Sequence, residues 1–217
     1  MISRKYTDWG KVFLDTTTVI CLLRARLDNK VPRCNFVAKL IDDLTTKKSS
    51  SNKDRVFYIS AITISELLNN ATKSSNIESI VKALGSDNVV FRSYDDKIAD
   101  FMVKNYHSHL GKDNLTDIAR EFSWPENKLG IARQWLEKDL MIIASAAYEQ
   151  CDTIITLDKN TMLPLAEKAD YYCCVAEEGN FQLSQNGDTI FNYNKPTLQK
   201  KKKTTKPSSS ISQQQPS

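Results

Sequence analysis

The stretch LEKDLMIIASAAYEQCDTIITLDKN, residues 136–160, decides the fold class of this 217-residue chain. Its first half belongs to a longer segment, 131–149, in which apolar residues recur at helical spacing. The apolar run TIITL at 153–157 then predicts a buried strand, and Asp158 follows that strand directly. A helix that leads into a short buried strand is typical of α/β proteins, in which such units build a parallel sheet.

The same alternation of strands and helices extends in both directions from this stretch. Further strands are predicted over residues 11–14, 55–60, 88–91 and 171–176. Helical spacing predicts helices over residues 36–44, 62–71, 77–85 and 98–106, the first with Asn35 as its N-cap. We therefore predict an α/β fold, a three-layer α/β/α sandwich around a mostly parallel central sheet. Residues 181–193 carry Asn186-Gly187 between alternating segments and predict a C-terminal hairpin.

Composition divides the chain into one folded domain, 1–194, and a tail, 195–217. The 23 residues of the tail contain six lysines and no acid, so the net charge of +4 combines +6 in the tail with −2 in the rest. Because Lys, Ser, Thr, Gln and Pro dominate the tail, it cannot bury a core, and we predict that it is disordered. Within the folded domain, the polar segment 107–128 predicts an insertion or helical lobe.

The cysteines indicate a reducing environment. There are five, at positions 21, 34, 151, 173 and 174, and they form no CxxC pair. This pattern predicts buried thiols rather than a disulfide scaffold or a zinc site. The first apolar stretch is interrupted by Asp15, and the longest apolar run, 140–148, is too short to cross a bilayer. We therefore expect a cytoplasmic protein with no signal peptide and no contact with a membrane.

The glycine and histidine content excludes several chemistries. The six glycines form no GxGxxG motif, and Tyr106 stands where a phosphate-binding loop ending at Gly111-Lys112 would need its first glycine. No GxSxG or HExxH motif occurs. The two histidines, His107 and His109, are too few for both a catalytic triad and a histidine-rich metal site, and their polar surroundings are typical of surface residues. Any chemistry must therefore depend mainly on carboxylates.

Four carboxylates from distant segments are predicted to meet at one edge of the sheet. Asp15 and Asp158 each follow a predicted strand directly. Glu66 lies six residues after Ser60, in the helix that leaves another strand. Asp139 stands in a helix whose neighbouring residues are apolar and demand burial. The carboxyl ends of parallel strands lie at one edge of a sheet, and α/β proteins bind their ligands at this edge.

A cluster of carboxylates needs a counter-charge. Two like charges about 4 Å apart repel by roughly 1 kcal/mol in water, and by more near a protein surface. A divalent cation relieves this repulsion, and Mg²⁺ and Mn²⁺ prefer oxygen ligands. Each acid taken singly has a structural interpretation as a turn residue, a helix cap or a solvated side chain. The occurrence of all four at matching places in the topology favours the metal-site hypothesis.

Three segments resemble the motifs of the PIN-domain ribonucleases, the family that includes the VapC-type toxins. The segment VFLDTTTVI, 12–20, resembles the opening motif of that family, and YISAITISELLN, 58–69, resembles the second. The stretch 136–160 resembles the closing pair, an Asp-x-x-Ile-x-Ala-x-Ala helix followed by a strand and Thr-x-Asp. The resemblance spans about residues 10–175, although 95–130 match no motif of the family.

The resemblance implies a metal-dependent endoribonuclease, a hydrolase that leaves 5′-phosphate and 3′-hydroxyl ends. By motif match, the carboxylate ligands of Mg²⁺ or Mn²⁺ would be Asp15, Glu66, Asp139 and Asp158. Glu66 would serve as a ligand or would orient the attacking water. The remaining catalytic residue implied by the match is Thr156, which would support the metal-bound water or the phosphate.

One position departs from the family pattern. The family often has Asn two residues after the first Asp, and here Thr17 takes that place. A hydroxyl can still donate a hydrogen bond to a carboxylate, so the substitution concerns the surroundings of the site more than its ligands.

The partners implied by the resemblance are an RNA substrate, an antitoxin protein and a second copy of the chain. The lysine-rich tail could contact RNA phosphates, or it could serve only solubility. The rings of Trp9, Trp124 and Trp135 could stack on bases, although helical periodicity predicts a core or interface position for Trp135.

Two alternative functions stay open at this point. One is a catalytically inactive PIN fold that binds RNA or protein. The other is a haloacid-dehalogenase-like phosphotransferase, because LDTTTV at 14–19 resembles the nucleophile motif of that family. That family requires a second acid two residues after the first, where this chain has Thr17.

Overall fold

A five-stranded parallel sheet forms the centre of the molecule. The computed structural model describes residues 8–28, 31–46, 48–49, 51, 53–69, 82–83, 88–177, 181–182 and 192–193. The strands are β1 (Lys11–Leu14), β2 (Val56–Ser60), β3 (Val89–Arg92), β4 (Thr153–Thr156) and β5 (Cys173–Val175). They lie in the order β3-β2-β1-β4-β5, and each neighbouring pair is parallel. The predicted parallel sheet is confirmed.

Helices cover both faces of this sheet. In chain order they are α1 (Thr16–Asp28), α2 (Pro32–Thr46), α3 (Ala61–Asn69), α4 (Asp96–Leu110), α5 (Lys112–Glu121), α6 (Leu129–Tyr148) and α7 (Met162–Lys168). A short 3₁₀ turn, Glu126–Lys128, precedes α6. Helices α1 to α3 contribute to one buried cluster and α4 to α7 to another. The predicted three-layer α/β/α arrangement is confirmed.

The central strands supply both buried clusters because their side chains alternate between the two faces. In β1, Val12 and Leu14 belong to the cluster under α1 to α3, while Phe13 belongs to the cluster under α4 to α7. In β4, Ile155 belongs to the cluster under α1 to α3, and Ile154 belongs to the cluster under α4 to α7. All five side chains are fully buried. Continuous apolar runs such as VFL and TIIT are therefore what a strand buried on both faces requires.

The order of the strands creates a switch point between β1 and β4. From β1 the chain proceeds to β2 and β3 on one side, and it then crosses to β4 and β5 on the other. Leu14 is in register with Ile155, so both strands end at the same level. Open α/β sheets bind their ligands in the crevice outside the carboxyl ends of the strands at such a point. Asp15 and Asp158, which follow these two strands, therefore lie at the switch point.

Some predicted boundaries differ from the structure. Helix α2 begins at Pro32, so Asn35 lies inside the helix and the prediction that it caps the helix is wrong. Proline fits the first turn of a helix because that turn leaves its backbone N–H groups without helical partners. Helix α4 continues to Leu110 rather than ending near residue 106. Residues 107–128 are largely helical, and Leu115 and Ile118 pack into the cluster under α4 to α7.

Little of the C-terminal part of the chain lies within the described residues. Two short strands, β6 (Phe181–Gln182) and β7 (Asn192–Tyr193), pair in antiparallel fashion, as a hairpin requires. The predicted turn at Asn186-Gly187 lies outside the described residues, as do the predicted tail and most of the predicted helix 77–85. Among the described helices, none combines the length and the apolar character that crossing a membrane would need.

The cysteines differ in part from the sequence prediction. Cys151, Cys173 and Cys174 are buried free thiols, as predicted. Cys21 and Cys34, however, form a disulfide, so the prediction of a thiol is wrong at these two positions. The packing of α1 against α2 brings their Cα atoms to 4.8 Å, although the residues are 13 positions apart in the chain. Local sequence patterns do not reveal this proximity, because it depends on how the two helices pack.

Candidate active site

Asp15 lies at the end of β1 and is the most enclosed acid of the predicted set. Its side chain is only 4% exposed. Oδ2 of Asp15 accepts hydrogen bonds from the hydroxyls of Thr17 and Thr156, each at 2.7 Å. Burial raises the pKa of Asp15 above its ordinary value, the two hydroxyls lower it, and the charge of Asp158 raises it. The carboxylate is thus positioned by hydroxyls rather than by a cationic side chain.

The hydroxyls of Thr17 and Thr156 tie the ends of β1 and β4 together. Each donates its single proton to Asp15. Each also accepts a backbone N–H, Thr17 from Leu157 at 3.0 Å and Thr156 from Asp158 at 2.9 Å. Thr156, predicted to support a water or a phosphate, therefore positions two of the acids directly. The hydroxyl of Thr17 thus donates a hydrogen bond to the carboxylate of Asp15, as expected for a hydroxyl at this position.

Asp158 begins the turn between β4 and α7. Its Oδ1 accepts the backbone N–H groups of Asn160 at 2.8 Å and Thr161 at 2.9 Å. Its Oδ2 accepts the hydroxyl of Thr161. The carboxylate thus fixes the loop that carries it, as the turn interpretation of this residue requires. It is also close enough to raise the pKa values of Asp15 and Asp139 by its charge.

Glu66 lies on α3, opposite the start of α1. Its Oε2 accepts the hydroxyl of Thr16 at 2.8 Å, and its Oε1 lies 3.3 Å from Nζ of Lys138. Thr16 directly follows Asp15, so this hydrogen bond places Glu66 beside the end of β1. Lys138 directly precedes Asp139 on α6, so the ion pair links Glu66 to that helix as well.

Asp139 is the acid whose surroundings are most unfavourable to a negative charge. Burial raises its pKa well above the ordinary value, and the charges of Asp15, Asp158 and Glu66 raise it further. A hydrogen bond with Thr161 opposes this shift. The neighbouring side chain of Leu140 is buried in the core, as the apolar face of α6 predicted. The charges of the other three predicted acids therefore all act on Asp139.

The acids are neighbours, but their present positions do not form a ligand set. Within the part of the chain that the structure describes, no three His, Cys, Asp or Glu side chains are arranged so that they could hold a metal ion. Hydroxyl and backbone donors occupy the oxygens of Asp15 and Asp158, and Thr16 and Lys138 engage Glu66. Ion binding would require some of these oxygens to exchange a hydrogen bond for the ion.

The chemistry of the donor set fits a hard divalent cation. The four acids supply only oxygen ligands, and threonine hydroxyls surround them. Mg²⁺ and Mn²⁺ prefer such ligands over nitrogen and sulfur. Besides burial, repulsion by Asp15, Asp158 and Glu66 raises the pKa of Asp139, and a cation would relieve this repulsion.

Sequence reasoning missed two hydroxyls and misjudged one tryptophan. Thr16 holds Glu66, and Thr161 contacts both Asp158 and Asp139. Thr16 directly follows Asp15, and Thr161 lies three residues after Asp158. Their proximity to predicted acids in the sequence is the signal that could have identified them.

Among the tryptophans, Trp9 is fully buried. Trp135 is 51% exposed and meets Trp124 edge to face at 5.3 Å between ring centroids, so the prediction of a core position is wrong, and an interface position stays untested.

The raised pKa values predict how the stability of the metal-free protein depends on pH. The folded state holds protons on Asp15 and Asp139 more tightly than the unfolded chain, so these groups destabilise the fold as pH rises above the ordinary Asp value of about 3.9. In EDTA, the Tm difference between Asp139→Asn and the unsubstituted chain should therefore be largest at alkaline pH and should shrink on acidification. A difference that is constant with pH would contradict this prediction.

Comparison with known proteins adds a structural similarity and no family assignment. No protein-family model matches the chain, and no curated protein matches it. Among solved structures, the chain is similar to the crystal structure of VapBC2 from Rickettsia felis bound to a DNA fragment from their promoter. The identity is 14%, the TM-score is 0.39, and the match covers 76% of this chain and 98% of that chain. At these values the similarity carries no argument about family or function.

Proposed function

We propose that this chain is a metal-dependent endoribonuclease of the PIN type that hydrolyses phosphodiester bonds in RNA. One observation supports the proposal above all. The half-buried Asp139 has its pKa raised by burial and, in addition, by the charges of three acids from other segments, Asp15, Glu66 and Asp158, at the switch point of a parallel sheet. A fold gains nothing in stability from gathering four such charges, so their presence together favours a role in binding a cation.

The four acids take two roles in the proposed reaction. Asp15, Asp139 and Asp158 would hold Mg²⁺ or Mn²⁺, and Glu66 would act as a further ligand or orient the attacking water. A divalent ion bound there supplies Lewis-acid chemistry, lowering the pKa of a water and neutralising the scissile phosphate. Lys138, paired with Glu66 at 3.3 Å, keeps that side chain turned toward α6.

The threonine hydroxyls make this arrangement rigid. Thr17 and Thr156 fix Asp15 by donating to the same oxygen, Oδ2, so its other oxygen receives neither of these two bonds. Thr161 fixes Asp158 within its turn. Hydrogen bonds of this kind orient carboxylate ligands, and their removal typically reduces metal affinity or activity by about 10- to 100-fold.

The proposal extends to the partners that the motif resemblance implies. We propose RNA as the substrate, and an antitoxin that blocks the site and a second copy of the chain as protein partners. Nothing in the geometry of the four acids requires either protein partner.

Cleavage of a labelled RNA tests the proposed function. The chain should cleave RNA with Mn²⁺ or Mg²⁺ and should not cleave it in EDTA. Asp15→Asn and Asp158→Asn should each lower the rate by about 10²-fold or more, because each removes a carboxylate ligand of the cation that would neutralise the reacting phosphate. Product ends are identified by labelling, and 5′-phosphates are expected.

Asp152→Asn provides the matched control for this assay. Asp152 accepts the backbone N–H groups of Gly10 at 2.7 Å and Lys11 at 2.9 Å, at the opposite ends of β1 and β4. The same chemical substitution there should leave cleavage intact. Equal activity of Asp152→Asn, Asp15→Asn and Asp158→Asn would refute the proposed site. RNA binding without any cleavage would instead support the inactive binding module.

The phosphotransferase alternative makes a different prediction. It requires a second acid at position 17, and the structure has there a threonine hydroxyl that donates to Asp15. If that alternative held, phosphate monoesters would be turned over and only Asp15→Asn would abolish the reaction. Assaying a phosphate monoester beside RNA separates the two functions.

A further inference from the structure

The proposed site has to attract a polyanion although its own charge is negative. Four carboxylates repel the phosphates of RNA, so positive side chains at the rim of the site are needed to bring the substrate close. Lys138 is one such side chain, but it is paired with Glu66 and belongs to the site already described. Two further cationic side chains, Arg33 and Lys159, lie near Asp158.

Arg33 is held at the carboxyl end of β4. It stands in the first turn of α2, and its Nη2 donates to the backbone carbonyl oxygen of Leu157 at 2.6 Å. Leu157 directly precedes Asp158. A guanidinium fixed in this way remains beside the acids, with further N–H donors available to a ligand.

Lys159 joins Arg33 through a single shared carboxylate. Nζ of Lys159 lies 3.3 and 3.4 Å from the two carboxylate oxygens of Glu177, and Nη2 of Arg33 lies 3.3 Å from one of them. The side chains of Arg33 and Lys159 are 48% and 54% exposed, and that of Glu177 is 31% exposed. Two cations and one anion leave one net positive charge at this rim.

We infer that Arg33 and Lys159 form a binding site for a backbone phosphate of single-stranded RNA, adjacent to the phosphate that is cleaved. This inference rests on the proposed nuclease function. Glu177 occupies the same cations while RNA is absent, and an RNA phosphate replaces it on binding. Exposed ion pairs of this length are weak, so the exchange is easy. A phosphate offers Arg and Lys several charged acceptor oxygens in a geometry that suits the guanidinium fork.

The inference predicts opposite effects for the cations and for their acid. A fluorescein-labelled single-stranded RNA of ~10 nucleotides is titrated in EDTA, and binding is followed by fluorescence anisotropy between about 50 and 200 mM salt. Arg33→Ala and Lys159→Ala should each weaken binding and flatten the plot of log K against log salt by about 0.7. Glu177→Gln should tighten binding by about 2- to 10-fold, because no side chain then competes with the phosphate.

Matched controls come from an ion-pair cluster between α5 and the 3₁₀ turn that follows it. Arg120 pairs there with Asp117 at 2.6 Å and with Glu126 at 3.1 Å, and all three side chains are exposed. Arg120→Ala and Glu126→Gln change the net charge by the same amounts as the test variants. They should alter binding far less, since only charges beside the acids act on the bound strand. Tm measurements verify that each variant is folded.

The outcomes separate this inference from the function on which it rests. If RNA is cleaved and bound but Glu177→Gln binds no more tightly than Glu126→Gln, the phosphate site is wrong and the nuclease proposal stands. If the unsubstituted chain neither binds nor cleaves RNA, the proposed function itself fails. Weaker RNA binding by Arg33→Ala, with unchanged binding by Lys159→Ala and Glu177→Gln, would also overturn the site. Loss of the hydrogen bond from Arg33 to Leu157 would then be enough to explain the weaker binding.

Discussion

Asp139→Asn should reduce Mn²⁺-dependent RNA cleavage by about 10²- to 10³-fold while raising the Tm of the protein in EDTA. The two effects have one origin. The carboxylate of Asp139 is held in a half-buried position, where desolvation and the charges of Asp15, Asp158 and Glu66 oppose its ionisation. Replacing it by a neutral amide of similar shape removes the repulsion, but it also removes a negative charge that the proposed reaction needs.

The effect of metal on Tm provides the control for this prediction. Adding Mn²⁺ should raise the Tm of the unsubstituted chain, since a ligand that binds only the folded state stabilises it. The same addition should raise the Tm of Asp139→Asn much less. Asp117→Asn, an exposed acid on α5, should behave like the unsubstituted chain in both assays. A variant Asp139→Asn with a lower Tm in EDTA would show instead that the acid is structural.

Reduction of the disulfide between Cys21 and Cys34 should lower the Tm by roughly 6–12 °C. Closing a loop of this length restricts the unfolded chain by about 3 kcal/mol in the chain-entropy account. For a chain of about 200 residues, each kcal/mol shifts the Tm by about 2–4 °C. Melting curves with and without dithiothreitol measure the effect directly.

The double variant Cys21→Ala, Cys34→Ala isolates the contribution of this bond. Its Tm should not respond to dithiothreitol, whereas that of the unsubstituted chain should. Thiol titration of the unfolded, unreduced chain should find three free thiols among its five cysteines, namely Cys151, Cys173 and Cys174. Five free thiols in protein prepared without reductant would contradict the disulfide and would agree with the sequence prediction.

Sequence patterns predicted the sheet and the placement of the acids because local rules determine both. Apolar runs such as VFL and TIIT are buried on two faces, so they identify central strands without knowledge of their partners. An acid that follows such a strand within one or two residues, as Asp15 and Asp158 do, must lie near its carboxyl end. The carboxyl ends of neighbouring parallel strands coincide, and this geometry places Asp15 and Asp158 at the same edge of the sheet.

The details of the site were beyond sequence reasoning because they depend on contacts between distant segments. The hydroxyl of Thr156 meets Asp15 across 141 positions of the chain, and no pattern near either residue indicates which oxygen is used. The disulfide between Cys21 and Cys34 likewise depends on how α1 packs against α2, which no pattern near either cysteine indicates. Trp135 follows the periodicity of α6, yet it stands on the exposed side of the helix next to Trp124.

The position of β4 between β1 and β5 has a consequence for the order of events during protein synthesis. Residues 11–92, which include the first three strands, leave the ribosome well before residues 153–156. Until β4 inserts beside β1, Asp15 lacks the hydroxyl of Thr156, and the site lacks Asp158 altogether. Under the proposed function, a nascent chain that still lacks β4 would be unable to cleave the messenger RNA from which it is being translated.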